Sequence, residues 1–247
     1  MPTIHADSSG VAFNAFQSSH ANARDASTAA NGVNTTSTSI TANSYAISFS
    51  RGGGLVYRVD RIFVYFDTSG ITSTPASATF SIQRTTTSVL GKFRIIKSTA
   101  FGGDGKTGLA ASDFDAFPGF SAGNGMSGNV TDYCDDTIAA SAWGTGNAYN
   151  TTAINLNSTA LSDMASNDFF ILAIVNFDFD YKNVDSDPLF ITQRLSHYTP
   201  DFSGTSRDPK IDFVTAGYGN DVIGVASADI GEVNAVATAN IAEINGL

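Results

Sequence analysis

The sequence predicts an all-β protein: a two-sheet antiparallel β-sandwich of jelly-roll or Greek-key type, with a short C-terminal repeat extension. Three observations carry that expectation. Glu, a helix former, occurs only at Glu232 and Glu243, while strand-forming Thr, Phe, Tyr and Val are spread through the chain. Val59 to Tyr65 holds five β-branched or aromatic residues in seven positions. A second run, Phe169 to Phe177, reads FFILAIVNF. Side chains alternate between the faces of a strand, so both runs are apolar on both faces. Such strands belong in the middle of a sheet covered on each side, and the two are expected to be neighbours.

The other strands follow in order. Val11, Phe13 and Phe16 suggest a short strand or an arm lying on the body, and Ala23 to Ala26 with the NGVNTTSTS that follows reads as loop. Tyr45, Ile47 and Phe49 share one face of an expected edge strand over 44–50. Ala76 to Gln83 alternates apolar with Ser, Thr and Gln, which marks a half-buried strand, and Gly91 to Lys97 gives another around Phe93 and Ile95. Ala153–Leu156, Leu189–Gln193 and Ile211–Val214 complete the set, with a helical turn capped by Ser158 over 158–164. Many short strands with Gly and Asp turns and almost no helix mean a two-sheet sandwich.

Between Phe101 and Tyr149 the chain is rich in Gly, Asp and Ser with scattered aromatics. A loop this long in a compact domain is functional or holds small elements of its own, and the aromatics argue that it packs. The expected organisation is residues 1–44 as N-terminal arm and first strand, 45–219 as the sandwich, and 220–247 as an assembly or docking element.

A chain of 247 residues, 42% hydrophobic, is long enough for one large β domain. Its net charge of −10 argues against nucleic-acid binding, which needs a basic patch. The N-terminus, MPTIHADSSG, has neither the basic nor the apolar region of a secretory signal, and no apolar run reaches the ~18 residues of a membrane span. Assembly in a cytoplasm is the expectation. Cys134 has no partner for an intrachain disulfide and suits a buried small hydrophobe.

Residues 225–247 repeat with a period of eleven: VASADIGEVNA, then VATANIAEING, then Leu247. Eleven residues are three turns at 3.67 per turn, which suits a slightly right-handed helical bundle with Ile230, Val233, Val236, Ile241, Ile244 and Leu247 in its seam. A helical turn followed by an Asn-Gly-like turn, repeated twice, fits as well. The apolar stripe is too narrow to bury itself, so it either docks on its own sandwich or joins copies.

Candidate sites are few. Asp178, Asp180, Asp185 and Asp187 flank a loop as hard oxygen ligands suited to calcium, without the EF-hand spacing; solvated loop acids are the plain alternative. Trp143, Tyr149 and Tyr133 either stack on sugar rings or seal the long loop onto the core. Arg58, Arg61 and Arg194 read as strand-edge ion-pair partners. His5, His20 and His197 are scattered, and neither a G-x-S-x-G elbow nor a phosphate loop before a helix is present. No catalytic residue and no cofactor beyond that calcium is expected.

With these residues placed, the chain resembles the DNRLRE-type β-sandwich family. Arg61, Phe66, Asp67, Ser69, Ile71 and Ala78-Thr79-Phe80 fit its central strand and turn, and Pro209, Ile211 and Phe213 fit its closing strand. The family's Ser-Arg-Glu signature is reduced here to Gln193-Arg194-Leu195-Ser196, which lacks the Glu. The resemblance, over about residues 5 to 215, implies a scaffold or binding domain without catalysis, as in tailed-phage virion proteins and surface modules. It leads to a virion structural protein (head decoration, or a fibre, tail or baseplate subunit), forming a homotrimer by analogy and touching other virion proteins. The alternative is a carbohydrate-binding or adhesion module of a cell-surface protein. A virion protein that also binds host glycans would join the two.

Overall fold

A computed structural model describes residues 1–48, 54–85, 91–145, 148–150, 152–185 and 192–216, together with the backbone of 232–233 and 236–237. Its strands are β1 (Thr3–His5), β2 (Ser8–Gln17), β3 (Val33–Asn34), β4 (Ser39–Ser48), β5 (Leu55–Asp67), β6 (Ser77–Ser81), β7 (Gln83–Arg84) and β8 (Lys92–Lys97). They continue with β9 (Ile138–Ala139), β10 (Gly144–Thr145), β11 (Ile154–Asn155), β12 (Phe169–Asn176), β13 (Gln193–Tyr198) and β14 (Lys210–Val214). The pair β15 (Glu232–Val233) and β16 (Val236–Ala237) comes last. Two α-helices, α1 (His20–Arg24) and α2 (Ser158–Ser166), are short.

Two sheets, antiparallel except for the β7–β10 pair, face each other. The smaller runs β1-β14-β6-β11; the larger runs β10-β7-β13-β4-β5-β12-β8-β9, with β2 and β3 added at β5. The expected all-β sandwich is what the chain forms. No helix among the described residues is long and apolar enough to cross a membrane.

Strand β5 organises the larger sheet. β2 pairs along one edge from Tyr57 to Tyr65. The opposite edge is divided: β4 takes Leu55–Val59 and β12 takes Ile62–Asp67. Asp60 and Arg61 fall where the two neighbours part. There the backbone N–H of Asn43 donates to the Asp60 carboxylate at 2.9 Å, so a side chain continues the ladder.

The two faces of β5 bury into different cores. Ile62, Val64 and Phe66 point towards the smaller sheet, among Phe80, Ile211, Phe213 and, from β12, Phe170, Leu172 and Ile174. Val59 and Phe63 point the other way, with Ile171, Ala173 and Val175 of β12. That second face is covered by α1 and by the long loop, through Phe101, Leu109, Phe114, Phe117, Met126 and Val130. Phe63 and Phe117 stack at 5.7 Å between centroids. The molecule thus has three layers, and the loop is one of them.

Several expectations shift. Residues 1–44 are not an arm: β1 pairs with β14 and β2 with β5, so both belong to the sandwich. β2 passes a bulge between Asn14 and Gln17, where Phe16 takes φ 58°. The buried Asn14 amide donates there to the carbonyls of Asn22 and Ala23 and holds α1, in a stretch expected to be loop. β4 is interior, between β13 and β5, rather than an edge. The strand expected at 189–193 lies at 193–198; residues 186–191 are outside the described set. The cap of α2 is Asn157, whose side chain accepts from the N–H of Ala160 at 3.1 Å, one residue before the expected Ser158.

In the repeat, β15 pairs antiparallel with β16, Glu232 facing Ala237 and Val233 facing Val236. A helical seam through Val233 and Val236 is therefore corrected to a strand pair at that point. Ile230, Ile241, Ile244 and Leu247 lie outside the described residues.

Candidate functional site

The most heavily engaged polar group faces the loop layer. Arg61 stands on the Val59–Phe63 face of β5 with a fully buried side chain, and Asp180 opposite is equally buried. Asp180 sits in a π-type turn, Phe177–Tyr181, that follows β12 and begins where the Asn176 carboxamide oxygen accepts from the Phe179 N–H at 2.8 Å. Arg61 Nε donates to Asp180 Oδ2 at 2.8 Å and Nη2 to Oδ1 at 2.7 Å, a two-pronged pair. Nη1 donates to the Phe114 carbonyl at 2.7 Å and Nη2 also to the Arg24 carbonyl at 2.9 Å. Phe114, Phe117 and Phe120 surround the guanidinium at 4.2, 5.1 and 5.0 Å.

A second buried guanidinium joins from α1. Arg24 Nε donates to the Asp180 backbone carbonyl at 2.6 Å, and Nη1 pairs with Asp25 at 2.5 Å. Burying ions costs several kcal/mol each unless partners and hydrogen bonds satisfy them. Here one node ties α1, β5, the turn at Ala111–Asp115 and the turn after β12. The Arg61–Asp180 pair at its centre is buried on both sides and bonded within the fold, so the node clamps these elements together. Arg61 is therefore an interior clamp, not a strand-edge partner; Arg58, by contrast, does pair with its neighbour Asp60 at 2.7 Å.

Of the four candidate calcium ligands, the three described are not placed as a metal-holding group. Asp180 belongs to the clamp. Asp178 is half-buried, takes a 3.2 Å hydrogen bond from Gln193 Nε2 and lies 3.9 Å from Lys182. Asp185 is exposed, and Asp187 is outside the described residues. Among the described residues no group of three His, Cys, Asp or Glu side chains is placed to hold a metal ion.

Nor do the three aromatics form a stacking platform. Trp143 is fully buried and meets Phe80 edge-on at 6.1 Å. Tyr133 is buried, its ring stacked on Phe170 at 4.7 Å, and its hydroxyl donates to Asp163 Oδ2 at 2.7 Å. Tyr149 is half-buried: its hydroxyl donates to the Asp208 carbonyl at 3.0 Å, and Lys210 Nζ lies 4.6 Å from its ring centre. Burial, with Asp208 and Asp212 near, pushes that phenol up to about 12. Of the two readings for the trio, sealing the loop is the one Trp143 and Tyr133 follow. Cys134 is buried as a small hydrophobe, and burial raises its thiol.

Two further titratable groups are buried. His197 on β13 is fully enclosed; its Nδ1 donates to the Tyr198 carbonyl at 2.5 Å, and burial lowers it to about 4. Asp60 is buried, which raises its carboxyl against the pull of Arg58 and Asn43.

A groove of 520 Å³ opens between edge strands β9 and β11 and is lined by short side chains such as Cys134, Ile138, Ala142 and Ile154. Asp136 is the one charged residue among its described walls. No family model matches the chain, and no curated protein matches it.

Proposed function

We propose that the chain is a non-catalytic structural protein of a tailed-phage virion, either a head decoration or a subunit of a fibre, tail or baseplate. The sandwich is displayed on the particle, and the C-terminal repeat joins copies, in a trimer by analogy with phage appendages. The observation that carries the reading is the loop layer. Proteins of this architecture carry binding or catalytic groups on their long loops, yet here the longest loop is packed onto β5 and β12 around the buried Arg61–Asp180 pair. That is the construction of a rigid body. The motif resemblance through Arg61, Phe66, Asp67 and Ile71 and the eleven-residue repeat support the same reading.

The alternative, a carbohydrate-binding or adhesion module of a cell-surface protein, loses its aromatic platform with the burial of Trp143 and Tyr133.

Light scattering on the intact chain and on a version ending at Gly219 tests the assembly half of the proposal. The expected result is a defined oligomer that falls to monomer on truncation. Monomers in both cases would return the repeat to a docked tail and remove the support for an assembled particle component.

A further inference from the structure

Among the described strands, both sheets end on the same side of the sandwich in two-residue strands. β9 closes the larger sheet and β11 the smaller, and the 520 Å³ groove lies between them. Ile138 and Ile154 are buried in the core, while Thr137, Ala139, Thr152 and Ala153 are exposed along the groove. The Ala140 N–H donates to the Gly91 carbonyl at 2.9 Å, and the Leu156 N–H to the Ala78 carbonyl at 3.0 Å. Antiparallel strands alternate bonded and non-bonded pairs. Ala139, opposite Lys92, and Asn155, opposite Thr79, therefore turn their N–H and C=O groups away from their own sheets.

A free sheet edge is a template for pairing with another chain, and proteins ordinarily blunt it with Lys, Pro or a bulge. The described walls of this groove hold neither Lys nor Pro. Two strand edges thus border a slot whose short side chains leave room for a further backbone. A strand that enters needs short side chains on one face. It also needs to be free of acids, because Asp136 would repel them.

The C-terminal repeat holds one such stretch. Residues 233–242, VNAVATANIA, carry no charge, although Glu232 and Glu243 bracket them. On a strand, Ala235, Ala237 and Ala239 share one face. β16 already has strand backbone at Val236–Ala237 and, among the described strands, pairs with β15 alone. A lone two-stranded hairpin is marginally stable at best in water. The chain leaves the body after β14, two strands from β11 in the same sheet, and sixteen residues, 217–232, precede Val233. Extended, they reach about 50 Å, enough to meet a neighbouring molecule. We propose that residues 233–242 of one copy add as a strand between β9 and β11 of the next, an inference that rests on the reading that the repeat joins copies. A head-to-tail contact of this kind builds closed rings, a trimer among them.

The test is disulfide trapping on the full chain in a Cys134→Ser background. Ala139→Cys combined with Ala237→Cys should give chains linked to one another on a non-reducing gel after copper–phenanthroline oxidation. Ser121→Cys, on the loop layer, combined with Ala237→Cys should give no link above background. Ala139→Arg and Ala153→Arg fill the slot from either wall, and each should raise the dissociation constant of the oligomer about tenfold or more by light scattering. Circular dichroism and urea midpoints identify which of the two keeps the fold, and either one that does so is sufficient. An oligomer unchanged in a folded Arg variant yet lost in the version ending at Gly219 would overturn the proposal and leave the assembly reading standing. A link within single chains only, or a parent chain that is monomeric, would overturn both.

Discussion

The Arg61 guanidinium and the Asp180 carboxylate meet through two parallel hydrogen bonds, 2.8 and 2.7 Å long, with neither side chain exposed to solvent. The residues stand 119 positions apart, and the pair fastens the turn after β12 to the middle of β5 beneath the loop layer. A buried pair gains little over an apolar replacement, but removing one partner leaves the other charge stranded.

Asp180→Asn strands the Arg61 guanidinium, while Arg24 keeps Asp25 and the backbone carbonyl of residue 180. The expected loss is about 3–5 kcal/mol in urea unfolding. Asp185→Asn, at an exposed position in the same acidic stretch, should stay within about 0.5 kcal/mol of the parent. Equal effects of the two would contradict the clamp.

Trp143 is the chain's one tryptophan and is fully buried. Native fluorescence should be blue-shifted and shielded from iodide, and should shift to the red on unfolding. Trp143→Ala is expected to cost about 3–5 kcal/mol through the cavity it leaves beside Phe80. Ready quenching in the native state would place the indole outside the core.

Stability should fall with acid through His197. Its ring titrates near 6.5 unfolded and at about 4 folded. Between those values the unfolded chain binds the extra proton, so stability is full above about 6.5 and declines towards 4, by roughly 3 kcal/mol from this group. Asp60 works in the opposite sense in the acid range, because the folded state holds its proton more tightly. Urea midpoints from pH 7.5 down to 4.5 check the slope. It should flatten in His197→Gln, and an unchanged slope would assign the effect elsewhere.

Two loop glycines separate backbone strain from packing. Gly119 and Gly123 both have positive φ, +87° and +81°; a Cβ at Gly119 would strike the Asn129 carbonyl, and one at Gly123 meets nothing within 4 Å. Gly123→Ala should cost about 1–2 kcal/mol from the left-handed backbone alone. Gly119→Ala should cost distinctly more. Thermal midpoints order the two, and an equal cost would show an unpacked layer.

The sequence was most legible where burial on both sides wrote itself into the residues. β5 and β12 follow from doubly apolar runs, and their pairing, Ile62 with Ile174 through Asp67 with Phe169, follows from there. β6, β8 and β14 follow from alternation. β2 was legible only as a short strand or an arm, through Val11, Phe13 and Phe16, and its place beside β5 is set by tertiary pairing rather than propensity. β13 reads QRLSHY for the same reason. The clamp left no local signal: Asp180 looks like any loop acid until folding brings it to Arg61. Tyr133 looked like a platform, but its ring is buried against Phe170.

Hydrogen exchange across 97–133 tests the central claim, that the long loop is a structural layer, most directly. The amides of Lys97, Thr99, Met126 and Tyr133 bond to the carbonyls of Thr131, Ala116, Tyr181 and Ile95 at 2.7–3.0 Å. They should exchange as slowly as those of β5 and β12, and Asp180→Asn should release the loop's protection before that of the strands. Fast exchange of those four amides in the parent chain, with β5 and β12 still protected, would show an open loop and contradict the account.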